Sequence, residues 1–142
     1  MDEKKFDFYQ DHSRNYLEMA LSAERQAVMA HPDGYGKRTG ECGDTVEIYL
    51  KVRRKKVEAV SYRADGCINT HACCNTVAQM AEDVEVNTAW EITPQKVVDY
   101  LETLPPDHIH CAELAVGALY LALSRCQELN RNPWKKSYQR KS

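Results

Sequence analysis

Between Tyr9 and Met29 the apolar positions Tyr16, Leu17, Ala20, Leu21, Ala27 and Val28 recur at steps of three and four. That is the spacing of an amphipathic helix, which His31-Pro32-Asp33-Gly34 would end. Gly34 to Gly40 is glycine-rich and predicts a loop or a short irregular edge strand. The period then changes to two: Val46, Ile48, Leu50 and Val52 alternate with Glu47, Tyr49, Lys51 and Arg53, as in a strand with one buried face. Val57 to Asp65 continues in kind, so the charged run Arg53-Arg54-Lys55-Lys56 reads as a hairpin connection, although it lacks the usual glycine or asparagine. After Gly66-Cys67 a helical period returns, through Ala72, Val77 and Met80 to about Glu82. Thr93 then caps a further helix with Pro94 at its first position, leading into Val97, Val98 and Leu101, and Leu104-Pro105-Pro106 stops it. A last helix starts near Cys111 and carries Leu114, Ala115, Ala118, Leu121, Ala122 and Arg125 on one stripe.

At 142 residues, 43% of them hydrophobic, the chain suits one domain with one core, expected over residues 1–127. Residues 128–142 form a basic tail with Lys135, Lys136, Arg140 and Lys141, which reads as a solvated, mobile extension. A formal net charge of -2 and a pI near 6.2 argue against a nucleic-acid partner, which would want a concentrated basic face. No stretch approaches the roughly 20 apolar residues of a membrane span, and Met1-Asp2-Glu3-Lys4-Lys5 lacks the apolar run of a secretory signal. A cytoplasmic location is therefore the expectation. There the six cysteines would be reduced, so metal binding, persulfide chemistry or burial has to explain them before disulfides do.

No Cys-x-x-Cys occurs, and Cys42, Cys67 and Cys111 lie 25 and 44 residues apart, so ligands would have to converge from separate loops. Each sits at an element boundary: Cys42 before the first regular strand, Cys67 between strand and helix, Cys111 at a helix start. Helix N-termini favour anions, so Cys67 and Cys111 are expected to be the reactive thiols. Cys126 reads as a small buried hydrophobe.

Cys42-Gly43-Asp44, Gly66-Cys67, Leu104-Pro105-Pro106 and His110-Cys111 with Leu114-Ala115 follow one another in an order that resembles the IscU/NifU-type iron–sulfur cluster assembly scaffolds. The resemblance covers about residues 9–126 and places His31-Pro32 at the family's early Asn-Pro. It implies an α+β fold, a small antiparallel sheet of two to three strands packed with helices. It further implies a scaffold role rather than an enzyme: a labile [2Fe–2S] cluster is built from iron and from sulfur supplied by a cysteine desulfurase, then passed to apo iron–sulfur acceptor proteins. Cys42, Asp44, Cys67 and Cys111 match the family's ligand positions, His110 matches its substitute ligand, and the same set often holds zinc when no cluster is present. Cys111 is the expected sulfur acceptor, and a homodimer is among the assemblies this reading allows. A carboxylate or imidazole in place of a fourth thiolate should also ease release of the cluster.

Two stretches depart from the family. Its small, serine-rich segment reads here as Cys67-Ile68-Asn69-Thr70-His71-Ala72-Cys73-Cys74. On an ideal helix Cys67, His71 and Cys74 share a face while Cys73 points elsewhere, so either His71 and Cys74 add sulfur- or metal-holding capacity, with Cys73 a further auxiliary candidate, or the two cysteines replace packing serines. The chaperone-recognition segment of the family, Leu-Pro-Pro-Val-Lys, reads Leu104-Pro105-Pro106-Asp107-His108, so Leu104–Pro106 without the valine and lysine does not carry chaperone binding over. A zinc-dependent persulfide sulfurtransferase is the rival reading; those relatives carry an insertion between the second and third cysteines for which the 44-residue interval leaves no obvious room.

Overall fold

A computed structural model describes residues 8–131, and of the basic tail only residues 128–131 fall within that range. In chain order the elements are α1 (Phe8–Asp11), α2 (Arg14–Leu21), β1 (Gly34–Thr39), β2 (Thr45–Arg53), β3 (Lys56–Asp65), α3 (Ile68–Ala81), α4 (Val86–Ala89), α5 (Pro94–Leu101), a 3-10 turn (Pro106–His108) and α6 (Ile109–Arg131). The strands form one antiparallel sheet in the order β1-β2-β3, with Thr39 opposite Thr45 and Thr45 opposite Asp65. The architecture is the expected α+β one.

One face of the sheet carries Val46, Ile48, Leu50, Val60 and Tyr62, all buried. Beneath it α3 packs against β3 and α6 against β1 and β2, while α2 and α5 close the far side of that helical layer. Alternation in β2 and β3 follows directly from this one-sided burial. The hairpin between them turns on Arg54 (φ 54) and Lys55 (φ 66), a two-residue loop in which both residues adopt the left-handed conformation without glycine or asparagine. Each costs roughly 1–2 kcal/mol of local strain, offset by the register of the two flanking strands.

The glycine-rich stretch proves to be a regular edge strand, for a packing reason. A Cβ on Gly34 would lie 2.4 Å from the Ala122 carbonyl oxygen, and one on Gly36 would lie 2.2 Å from that of Ala118. The strand is pressed against the backbone of α6, and only glycine fits the contact.

Several expectations are corrected. The helix predicted from Tyr9 to Met29 is split into α1 and α2, with Ser13 capping α2, and ends at Leu21, eight residues before Met29. Ser22 is extended, and residues 25–27 run along the free edge of β3: the Tyr62 N–H donates to the Arg25 carbonyl and the Ala27 N–H to that of Tyr62. The Arg25 guanidinium clamps the Glu82 carboxylate with two bonds of 3.0 and 3.1 Å and adds a third to Asn75. Sheet-edge pairing plus a bidentate ion pair outweigh the helical spacing of Ala27 and Val28, which are exposed. Helix α5 stops at Leu101, short of Leu104, as Glu102 takes a positive φ of 63. Helix α6 continues to Arg131, so residues 128–131 belong to it and the tail beyond lies outside the described residues. Its buried positions are not one stripe: Val116, Leu119 and Leu123 are buried along with Ala115 and Ala118, whereas Leu121 is 48% exposed. Sheet on one side and α5 on the other bury most of its circumference. For that reason Pro106–Leu129 is long and apolar enough to cross a membrane by length and composition, contrary to expectation, although 61% of that window is buried inside the fold.

The β1–α6 contact should be unforgiving. Gly36→Ala is expected to destabilise by about 1–3 kcal/mol in urea unfolding, whereas Gly40→Ala, whose Cβ would meet Leu114 at an ordinary 3.5 Å, should leave the midpoint nearly unchanged.

Candidate metal centre

The open end of the β2–β3 hairpin and the tight β1–β2 turn gather the chemistry at one pole. In that turn the Gly43 N–H donates to the Gly40 carbonyl at 3.0 Å and the Gly40 N–H to that of Asp44 at 2.9 Å, with Gly43 at φ 93. Cys42 therefore stands exposed at the tip. Asp44 follows at the base and packs its carboxyl carbon where a Cβ on Gly66 would be, at 2.5 Å, so this glycine makes room for the acid. One residue later Cys67 is the N-cap of α3, and across the gap Cys111 lies in the first turn of α6.

Three ligand atoms, one each from Cys67, His108 and Cys111, lie within 4.8 Å of one another. Two sulfurs and an imidazole nitrogen at that spacing suit a borderline-to-soft ion such as iron or zinc. Cys42 is outside this set; it lines a groove of about 510 Å³ with Arg38, Glu41, His110 and Glu113, so the groove runs from the exposed thiol to the second histidine. His110 Nε2 is 3.7 Å and His108 Nδ1 3.9 Å from the Cys111 sulfur, which places one imidazole on either flank of that thiol. Among the described residues the inner trio thus takes His108, where the sequence pointed to His110. The 3-10 turn over Pro106–His108 brings His108 to the trio, and the Leu-Pro-Pro run that follows α5 was the available clue to such a turn.

Thr70 was also missed. Its buried hydroxyl donates to Asp44 Oδ2 at 2.6 Å and lies 3.3 Å from the Cys111 sulfur and 3.6 Å from that of Cys67. A threonine three residues into a helix looks like an ordinary helix position in sequence. Only the meeting of three elements gives it partners.

The two inner thiols differ. At Cys67 partial burial pushes the thiol up, but the facing Thr70 N–H and hydroxyl and the Asn69 N–H outweigh it and hold the pKa below the ordinary 9.0. Cys111 is fully buried, and that burial, with the Cys67 and Asp44 charges adding to it and the Thr70 bond opposing, raises it to about 11. The expectation that both helix-start thiols would be activated therefore fails for Cys111. His71, Cys73 and Cys74 are not members of the trio, although the Cys73 and Cys74 thiols lie near enough to Cys111 to feel its charge. The ring nitrogens of His71 meet the Tyr62 hydroxyl at 2.9 Å and the Ser22 carbonyl at 3.0 Å. Cys73 and Cys74 are core residues with no exposure, both pushed up by burial, as packing thiols should be. Cys126 is likewise buried.

Alkylation of the metal-free protein should follow this order. With iodoacetamide near neutral pH, Cys67 and Cys42 are expected to be modified first. Cys111 should react far more slowly, and Cys73 and Cys74 only on unfolding, as read by peptide mass spectrometry. Cys111 labelling as fast as Cys67 would contradict the burial argument.

The NifU-like N-terminal domain family model matches residues 13–132. A curated relative from Archaeoglobus fulgidus, iron–sulfur cluster assembly scaffold protein IscU 1, is 33% identical over 82 residues, 58% of this chain and 54% of its own length. The chain thus spans about half of that relative. An Aquifex aeolicus protein, iron–sulfur cluster assembly scaffold protein IscU, is 24% identical over 116 residues, covering 80% of this chain and 74% of that one. The crystal structure of a nitrogen-fixing NifU-like protein (N-terminal) from Brucella abortus superposes with a TM-score of 0.68 at 19% identity, covering 82% of this chain and 94% of that chain. From the family model, which spans nearly all of the described residues, the chain belongs to the NifU-like N-terminal domain family.

Proposed function

We propose that this chain is an iron–sulfur cluster assembly scaffold on which a labile [2Fe–2S] cluster is built and from which it is passed to apo proteins. The observation that carries the reading is the inner trio of two thiols and one imidazole, drawn from three separate elements and flanked by a groove ending in a third, exposed thiol. The curated relatives named as cluster assembly scaffolds support it.

In this reading iron and sulfur are cargo. Cys67 favours the thiolate and is open to solvent, so it is the thiol that an incoming persulfide meets. Its sulfur attacks the outer sulfur of the desulfurase persulfide, the S–S bond breaks, and the donor leaves as a thiolate while Cys67 carries the persulfide. Cys111, the acceptor expected from the resemblance, is reached once the histidines flanking it give way. Iron is taken by the trio, with Cys42 and His110 completing the donors from the groove side. A donor set that mixes thiolate with imidazole binds less firmly than four thiolates, which suits a cluster meant to leave. Zinc is the ion this set would hold in the cluster-free protein.

The test is anaerobic reconstitution with a cysteine desulfurase, iron(II), cysteine and a thiol reductant, which supplies the two electrons that take each persulfide sulfur to sulfide, followed by visible absorption and transfer to an apo ferredoxin. The parent should gain the absorption and lose it to the acceptor; tight zinc retention with no cluster would overturn the reading in favour of a zinc-dependent sulfurtransferase. Cys67→Ser and Cys111→Ser should each abolish the cluster. His108→Ala should weaken iron retention more than His110→Ala, and the reverse order would move the imidazole ligand back to His110.

A further inference from the structure

We infer that Thr70 is a positioning residue that decides whether Asp44 joins the metal donors, holding the carboxylate aside while the trio of Cys67, His108 and Cys111 receives metal. The inference rests on the scaffold reading and assigns a role to a residue outside the ligand set.

Thr70 lies in the first turn of α3 with no solvent exposure. A buried threonine on a helix commonly bonds back to the carbonyl four residues earlier. Thr76 on the same helix does so, donating to the Ala72 carbonyl at 2.8 Å. Thr70 instead turns its hydroxyl to the metal pole, where Asp44 Oδ2 at 2.6 Å and the Cys111 sulfur at 3.3 Å are both within reach. A hydroxyl has one proton to give. It can serve the carboxylate or the sulfur, not both at full strength, and the shorter contact goes to the carboxylate.

Asp44 is fixed at its base, and at its tip it is held by the Thr70 hydroxyl. Its carbonyl is tied by the Gly40 N–H, and its carboxyl group rests in the space that the missing side chain of Gly66 leaves open. While the hydroxyl bonds the carboxylate, Asp44 is held against α3 and stays out of the trio. When the proton turns to the Cys111 sulfur, the carboxylate is released on the other side of the same hydroxyl oxygen from that sulfur. A small side-chain rotation then changes the donor set from two sulfurs and one nitrogen to one that includes a hard oxygen. Because the hydroxyl touches both acceptors, release of Asp44 and stabilisation of the Cys111 thiolate occur together.

Anaerobic cobalt(II) titration of the full chain, followed by visible absorption, reads this directly. Valine matches threonine in shape and removes only the hydroxyl. Thr70→Val is expected to bind cobalt about tenfold more tightly, with ligand-field bands changed as a carboxylate joins, and the gain should vanish in Thr70→Val/Asp44→Ala. Thr70→Ser, which keeps the hydroxyl, should reproduce the parent. A parent-like spectrum and affinity in Thr70→Val, a gain that survives loss of Asp44, or a Thr70→Ser that behaves as Thr70→Val would each overturn the proposal. Should Thr70→Val not fold, Asp44→Ala alone decides: unchanged cobalt affinity supports a carboxylate held aside, and a loss of roughly tenfold or more makes it a ligand already. Absence of cobalt binding by the parent would sink both this inference and the scaffold reading, whereas identical spectra would sink the positioning role alone.

Discussion

Strand β1 and helix α6 run past each other in near-equal steps, and the metal pole depends on that match. A strand advances about 3.3 Å per residue and a helix about 1.5 Å, so two strand residues keep pace with four helical ones. Along the strand Gly34 meets Ala122 and Gly36 meets Ala118, two strand residues for four helical ones, and past the end of the strand the turn residue Gly40 meets Leu114. The strand arrives at its turn just as the helix reaches its first residues, which delivers Cys42 to the side of His110. The missing Cβ atoms at Gly34 and Gly36 are what allow the two backbones to come this close. A bulkier strand would stand off from α6 and separate the exposed thiol from the histidine.

Burial decides the chemical character of each thiol at that pole. A helix N-terminus stabilises a nearby anion by roughly 0.3–1 kcal/mol, while each tenfold change in acidity corresponds to about 1.4 kcal/mol. For Cys111, which is fully buried, the desolvation that carries it to about 11 exceeds anything the helix end supplies. For Cys67 exposure keeps desolvation small, and the N–H groups of the first turn of α3 prevail. The result is a graded site with an open thiol favouring the charged form, a closed one favouring the neutral form, and a hydroxyl in contact with both.

The extra thiols and imidazole that follow Cys67 are divided by the helix itself. Cys73 and Cys74 turn into the core with Ala72, Val77 and Ala78, and His71 turns to Tyr62 at the sheet edge. Sharing a face with Cys67 in helical projection did not make them members of the trio: Cys67 is the cap, outside the regular helix, and the residues that follow are claimed by the core and by Tyr62.

Local physics was legible in the chain. The period-two runs placed β2 and β3, the Thr93-Pro94 pair started α5, and the change of period after Gly66-Cys67 began α3, since each depends on near neighbours only. Cys67 and Cys111 could be picked out as helix-start thiols for the same reason. What lay beyond the sequence was everything set by contacts between distant segments. Ala27 keeps a helical spacing but pairs with a strand edge; the glycines of β1 look like a loop until α6 is beside them. Bringing His108 beside Cys67 and Cys111, giving Thr70 its three partners and closing off Cys111 all depend on how the 3-10 turn, α3 and α6 meet. Side-chain direction and desolvation at that junction are properties of the packed molecule, and no stretch of sequence encodes them alone.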